Sequence, residues 1–165
     1  MTALSRRDVL RYSLAGLAVA WLPAGCGGGD GPEDLKLGRD TCAFCGMIVS
    51  EPQYAAEIRG GTGNKLYKFD DVGCAVHFTQ RNPWAAEPAA KFWAMNYMDG
   101  KTWLDAREAA YRSRLPTPMG YGFAAVPQGT ADSVPFEAMR GGAMKRGDCA
   151  PTAGITTTAD AGDVR

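Results

Sequence analysis

Alternation of polar and apolar positions is clearest in the middle of the chain. Tyr54-Ala55-Ala56-Glu57-Ile58-Arg59 reads as a strand, and Gly60-Gly61-Thr62-Gly63-Asn64 as a turn. Lys65-Leu66-Tyr67-Lys68-Phe69 alternates charged or polar with apolar residues and reads as the returning strand of a hairpin. Asp70-Asp71 then opens a helix from about Val72 to Gln80, because an aspartate side chain accepts a hydrogen bond from first-turn amides. Val72, Ala75, Val76 and Phe78 form its apolar stripe, and Asn82-Pro83 ends it. Residues 84–90 read as loop, and Lys91–Met98, dense in aromatic and sulfur side chains, as a buried strand. Upstream, Leu35 to Gly46 is irregular, Met47 to Val49 is a short strand, and Ser50-Glu51-Pro52 turns the chain.

The pattern then recurs loosely. Asp99-Gly100 is a hairpin signal, and a strand starts at Lys101-Thr102-Trp103-Leu104-Asp105 and runs to about Arg114. Helix competes over Asp105–Arg114, where Ala, Arg and Glu favour it. Leu115-Pro116-Thr117-Pro118 breaks regular structure, Met119-Gly120-Tyr121-Gly122 turns, and Phe123–Val126 is a strand. Ser133 caps a helix that runs through Met139 to Arg140, where Gly141-Gly142 ends it. The order of elements predicts an α+β fold of two small ββαβ-like units with mainly antiparallel strands, residues 39–98 and 99–146. Thr, Ala, Gly and Asp dominate residues 147–165, which read as a disordered tail.

The N-terminus breaks this pattern. Ser5-Arg6-Arg7-Asp8-Val9-Leu10-Arg11 looks like a twin-arginine export signal, and the apolar run that follows, Tyr12 to Leu22, is 11 residues long. That is too short to span a bilayer, which takes ~20 residues. Leu22-Pro23-Ala24-Gly25-Cys26 resembles a bacterial lipobox, in which Cys26 is lipidated and becomes the new N-terminus. Pro23 departs from the usual leucine, and cleavage by the ordinary signal peptidase is the alternative. Residues 1–25 are read as a signal peptide and residues 26–38, Gly-rich at the start, as a flexible tether. Cleavage removes Arg6, Arg7, Arg11 and Asp8, leaving 15 basic and 17 acidic residues and a net charge of −2. No basic cluster remains, which argues against nucleic-acid binding.

Export makes the cysteines informative. Beyond Cys26 there are four: Cys42, Cys45, Cys74 and Cys149. An oxidising compartment favours disulfides, and one pairing joins Cys74 to Cys149 and leaves the other two as ligands, but sequence does not establish connectivity. Cys42-Ala43-Phe44-Cys45-Gly46-Met47 places two thiols and a thioether within six residues, and soft donors of this kind select Cu(I). A thioredoxin-like redox pair would open a helix, yet Gly46 and β-branched residues follow Cys45 at once. A structural zinc site needs four ligands, which Cys74-x-x-His77 would have to complete. Met119 lies in a proline-glycine frame that presents a thioether as readily as it fills a core. Met95 and Met98 read as core, with Met98 the exception because Asp99-Gly100 ends its strand. His77, the single histidine, reads as a partly exposed structural residue, and Asp70-Asp71 as caps. No nucleophile–histidine–acid set is assembled, so the sequence offers little support for an enzyme.

Cys42–Val49, Tyr54-Ala55-Ala56, Phe69-Asp70-Asp71-Val72-Gly73-Cys74, Tyr97-Met98-Asp99, Trp103–Ala106 with Ala109 and Tyr111, and Thr117-Pro118-Met119-Gly120-Tyr121-Gly122 together resemble the NosL family, the nitrous oxide reductase accessory lipoproteins. The likeness covers roughly residues 38 to 140. It implies a membrane-anchored periplasmic Cu(I) metallochaperone with two ββαβ-like units akin to part of the organomercurial lyase. Its implied partners are the periplasmic subunit of a maturation transporter and nitrous oxide reductase itself. The lipid on Cys26 implies a membrane anchor, with the outer membrane favoured over the inner. The family's sulfur ligands map onto Cys45 or Cys42 and onto Met119, with Met47 a further candidate and Met98, Asp99 and Cys74 secondary ones. A thiol–disulfide oxidoreductase and a zinc-stabilised interaction domain are the alternatives.

Overall fold

A computed structural model describes residues 29–147. The signal segment, Cys26, Cys149 and its pairing with Cys74, and the tail beyond Gly147 lie outside the described residues.

Strands β1 (Ala56–Gly60) and β2 (Lys65–Phe69) form the expected hairpin, in register from Ala56↔Phe69 to Gly60↔Lys65. Helix α1 (Val72–Arg81) follows, then β3 (Lys91–Met95), which returns antiparallel to β1. β4 (Trp103–Asp105) adds to β3, so the first sheet has the order β2-β1-β3-β4. The second sheet has the order β6-β5-β7, built from β5 (Ala110–Ser113), β6 (Phe123–Val126) and β7 (Val134–Pro135). Helix α2 (Phe136–Lys145) closes the fold. The sheets join where Asn96 bridges Ala125 and the Tyr97 N–H donates to the Ala125 carbonyl at 2.8 Å. The architecture is α+β with antiparallel sheets, as the pattern predicts.

Several boundaries differ. β4 pairs with the first sheet rather than opening the second. Neither a continuous strand nor a helix spans residues 105–114: the Asp105 carboxylate accepts from the Arg107 and Glu108 N–H groups and turns the chain. The strand expected over Met47–Val49 is a single bridge, Thr41↔Ile48. Gly141-Gly142 does not end α2, which continues to Lys145. Gly142 sits against the Phe123 ring, where a Cβ would approach Cζ to 2.5 Å, so tertiary packing overrides local propensity. Ser133 donates its hydroxyl to the Thr130 carbonyl instead of capping that helix.

Ile58, Phe69, Phe92, Tyr111, Tyr121 and Met139 dominate a core that α1 crosses. Burying a large apolar side chain contributes about 1.5–3 kcal/mol, so this set outweighs any single surface interaction. Every α1 residue from Val72 to Phe78 is buried, not only the expected stripe, because α2 covers the second face. His77 is therefore buried rather than partly exposed. No helix among the described residues is long and apolar enough to cross a membrane.

Residues 30–36, within the stretch read as tether, are fastened to the first sheet. Arg59 donates to the Gly31 carbonyl and pairs with Glu33 at 3.0 Å, and Lys68 donates to the Asp34 carbonyl. Beneath them Glu57 is fully buried: Oε2 accepts the Glu33 N–H at 2.9 Å, while Oε1 has no hydrogen bond and lies 3.8 Å from the Lys68 ammonium. Burial pushes its carboxyl up to about 7. An unfolded glutamate ionises near ~4.3. The stability that Glu57 allows below that pH is therefore lost as pH rises through about 7. In denaturant titrations, Glu57→Gln is expected to remove this decline and to add up to about 3 kcal/mol at neutral pH. An unchanged pH profile in the variant would place the decline elsewhere.

Candidate metal centre

The cysteine segment is a closed hairpin. The Cys42 N–H donates to the Met47 carbonyl at 2.7 Å, the Gly46 N–H to the Cys42 carbonyl at 2.9 Å, and the Val49 N–H to the Asp40 carbonyl at 2.8 Å. Gly46 has φ 77°, a left-handed conformation that lets the chain reverse after Cys45. The Ala43 N–H donates to the Lys68 carbonyl at 2.8 Å, which fastens the hairpin to the end of β2. The Phe44 ring, between the two cysteines, stacks on His77 at 5.7 Å, and the Arg81 guanidinium lies 4.6 Å above it. Cys42 is thus buried, Cys45 half-buried, and Met47 and Ile48 exposed beyond the turn.

Since Asp70-Asp71 directly follows β2, α1 begins beside this hairpin. Asp71 caps it by accepting the Gly73 N–H at 2.9 Å, and Asp70 accepts the Ser50 N–H at 3.0 Å. Cys74, in the first turn and fully buried, completes a cluster: the sulfurs of Cys42, Cys45 and Cys74 all lie within 4.8 Å of one another. A hydrogen bond from Cys74, supported by the backbone N–H groups of Cys45, Asp70 and Phe44, holds the Cys42 thiol down at about 5 against the opposing effect of burial. Burial pushes Cys45 up to about 11, and the neighbouring Cys42 charge adds to this. Hydrogen bonding thus favours the thiolate form at Cys42, and burial the thiol form at Cys45.

Met119 is half-buried and packs on the same core as Cys45. Its loop is hydrogen-bonded to Asp71, through the Thr117 hydroxyl at 2.6 Å and the Met119 N–H at 3.3 Å. Met98 is exposed in the turn after β3. The Asp99 carboxylate is engaged there by the N–H groups of Lys101 and Thr102 and by the Thr102 hydroxyl. The His77 Nε2 lies 3.2 Å from the Ala143 carbonyl, and its ring stands between Phe44 and Tyr121, so it does not extend the cluster. Among the described residues, Cys, His, Asp and Glu supply three grouped ligands and no fourth, one short of a closed zinc site.

Cys74, a secondary candidate by sequence, is thus brought to the centre. The local signal for it is weak: a cysteine just inside a capped helix, with no pattern linking it to a hairpin some thirty residues earlier.

These features define the class: a small α+β protein with three thiols converging at the junction of a loop and a helix N-terminus, suited to a soft cation. No family model and no curated protein matches the sequence. Among solved structures the chain is similar to the copper chaperone NosL from Shewanella denitrificans, with a TM-score of 0.54 and 16% identity, covering 67% of this chain and 86% of that one. The likeness is one of fold, and the chain has a NosL-like fold.

Proposed function

We propose that this protein is a Cu(I) carrier rather than a catalyst. The observation that carries the reading is the convergence of three cysteine sulfurs within 4.8 Å of one another, two of the residues buried and one half-buried. Cu(I) is the cargo, held by Cys42, Cys45 and Cys74, with Met119 beside the opening. A thioether beside the three sulfurs adds a soft donor without adding a further negative charge to a partly buried site, where uncompensated charge is costly. Cys45, the accessible member, is the ligand that a partner's sulfur displaces, so copper passes on without being released free. Binding expels thiol protons, and affinity falls at low pH. Met47 and Met98, both exposed, are not needed to hold the ion.

The finer reading is that the chain is a lipoprotein, anchored to the outer membrane through Cys26 and facing the periplasm. There it passes copper to the periplasmic subunit of the nitrous oxide reductase maturation transporter, and so to the reductase. The Cys-Gly-Met and Thr-Pro-Met-Gly segments, the export signal and the NosL-like fold support this. The low pKa of Cys42 favours a thiol–disulfide oxidoreductase instead, but that sulfur is buried, and the accessible Cys45 is the one whose thiol is pushed up.

Reduced full-length protein is expected to bind one Cu(I) per chain, with a sulfur-only shell by X-ray absorption, and to exchange any zinc for it. Zinc retained against Cu(I), or a nitrogen and oxygen shell, would sink the reading. For the finer part, a denitrifying host lacking the gene should make nitrous oxide reductase without copper. The wild-type gene should restore it, and a Cys42→Ser/Cys74→Ser gene should not.

A further inference from the structure

We infer that Asp71 is a positioning residue for Met119: it ties the loop that carries the thioether to the helix that carries Cys74, and so sets the thioether beside the thiol cluster. What Met119 contributes there rests on the copper reading; what Asp71 does to it rests on hydrogen bonds alone.

A helix cap uses one side-chain oxygen. In Asp71 that is Oδ1, 2.9 Å from the Gly73 N–H. Oδ2 does nothing for the helix. It accepts the Thr117 hydroxyl at 2.6 Å and the Met119 N–H at 3.3 Å, both from the opposite half of the fold. The backbone carbonyl of the same residue accepts the Cys74 N–H at 3.0 Å. One fully buried residue thus holds the backbones of both Cys74 and Met119. The loop is also braced internally: the Thr117 hydroxyl accepts the Gly122 N–H at 3.1 Å, the Gly120 N–H donates to the Thr117 carbonyl at 2.9 Å, and Arg146 donates to the Gly120 carbonyl at 2.7 Å. Motion of Met119 is therefore motion of the whole loop, and Asp71 is its hydrogen-bonded link to the cysteine side. Serine caps as well as aspartate, but its single oxygen does not reach a second set of donors.

The test is a double-mutant cycle in Cu(I) affinity, read by competition with a chromophoric chelator. Asp71→Ser, which keeps a cap, is expected to weaken binding roughly tenfold, the lower end of the range for residues that orient ligands. Met119→Leu is expected to weaken it at least as much. Asp71→Ser/Met119→Leu should be no weaker than Met119→Leu alone, because the tie acts only through the thioether. A double variant weakened by the product of the single effects would overturn the inference. Thr117→Val removes a donor to Oδ2 and leaves the cap untouched, so it carries the same expectation if Asp71→Ser does not fold. In the metal-free protein the Met119 methyl carbon resonance should move toward that of free methionine in Asp71→Ser and in Thr117→Val; an unmoved resonance overturns the inference whatever copper does. If wild type binds no Cu(I) while that resonance moves, the copper reading falls and the tie stands.

Discussion

Replacing Cys74 with serine is expected to lower Cu(I) affinity by more than ~100-fold, beyond the range for residues that only orient ligands. Serine is nearly the same shape, and its hydroxyl can still donate to the Cys42 sulfur, so the fold and the Cys42 thiolate should survive. What is lost is a soft donor: a hydroxyl is a hard, weak ligand for Cu(I). The effect should equal or exceed that of Cys45→Ser, because Cys74 is fully buried and cannot be replaced by solvent or by a small thiol. Met47→Leu and Met98→Leu, at exposed positions, should leave affinity unchanged. A site made only of the Cys42–Met47 hairpin and Met119 makes the opposite forecast for Cys74. Wild-type affinity in Cys74→Ser, measured by chelator competition, would therefore remove Cys74 from the site.

Gly73→Ala is expected to destabilise the protein by about 2 kcal/mol or more, at the upper end of typical overpacking costs. In an ordinary helix the same change gains about 1 kcal/mol, so the sign is diagnostic. A Cβ at Gly73 would lie 2.1 Å from Cγ of Tyr121 and 2.6 Å from its Cβ. Neither atom is the flexible end of a side chain, and Tyr121 is itself buried against His77. Relief requires the 117–122 loop to move away from α1, taking Met119 with it. Urea denaturation should give the loss of stability, and residual Cu(I) binding should resemble that of Met119→Leu. Stability at or above that of wild type would mean that helix and loop do not meet as described.

Much of the framework is legible locally. The β1–β2 hairpin follows from alternation around a glycine-rich turn, and α1 from aspartates ahead of an apolar stripe. Residues 105–114 mislead, because composition favours helix while the Asp105 carboxylate favours a turn. Gly141-Gly142 misleads in the other direction: in isolation the pair ends a helix, but Gly142 is where α2 must pass the Phe123 ring. His77 and Cys74 point the same way. A helix with one apolar stripe predicts one buried face, and only the packing of α2 shows that the second face of α1 is buried too.

The hairpin that holds Cys42, Gly46 and Met47 is set by neighbouring residues, and the soft character of the site is set by its sulfur, so both can be read from one short stretch. Membership of the site cannot. It depends on the Ala43–Lys68 hydrogen bond that seats the hairpin on β2, on the two-residue step from β2 into α1, and on the Asp71 carboxylate that reaches the Met119 loop. Each is a contact between residues far apart in the chain, whose partners are selected by packing rather than by local propensity. That is why two thiols stand out from their spacing, while the third, only a secondary candidate in the sequence, is set beside them by the fold.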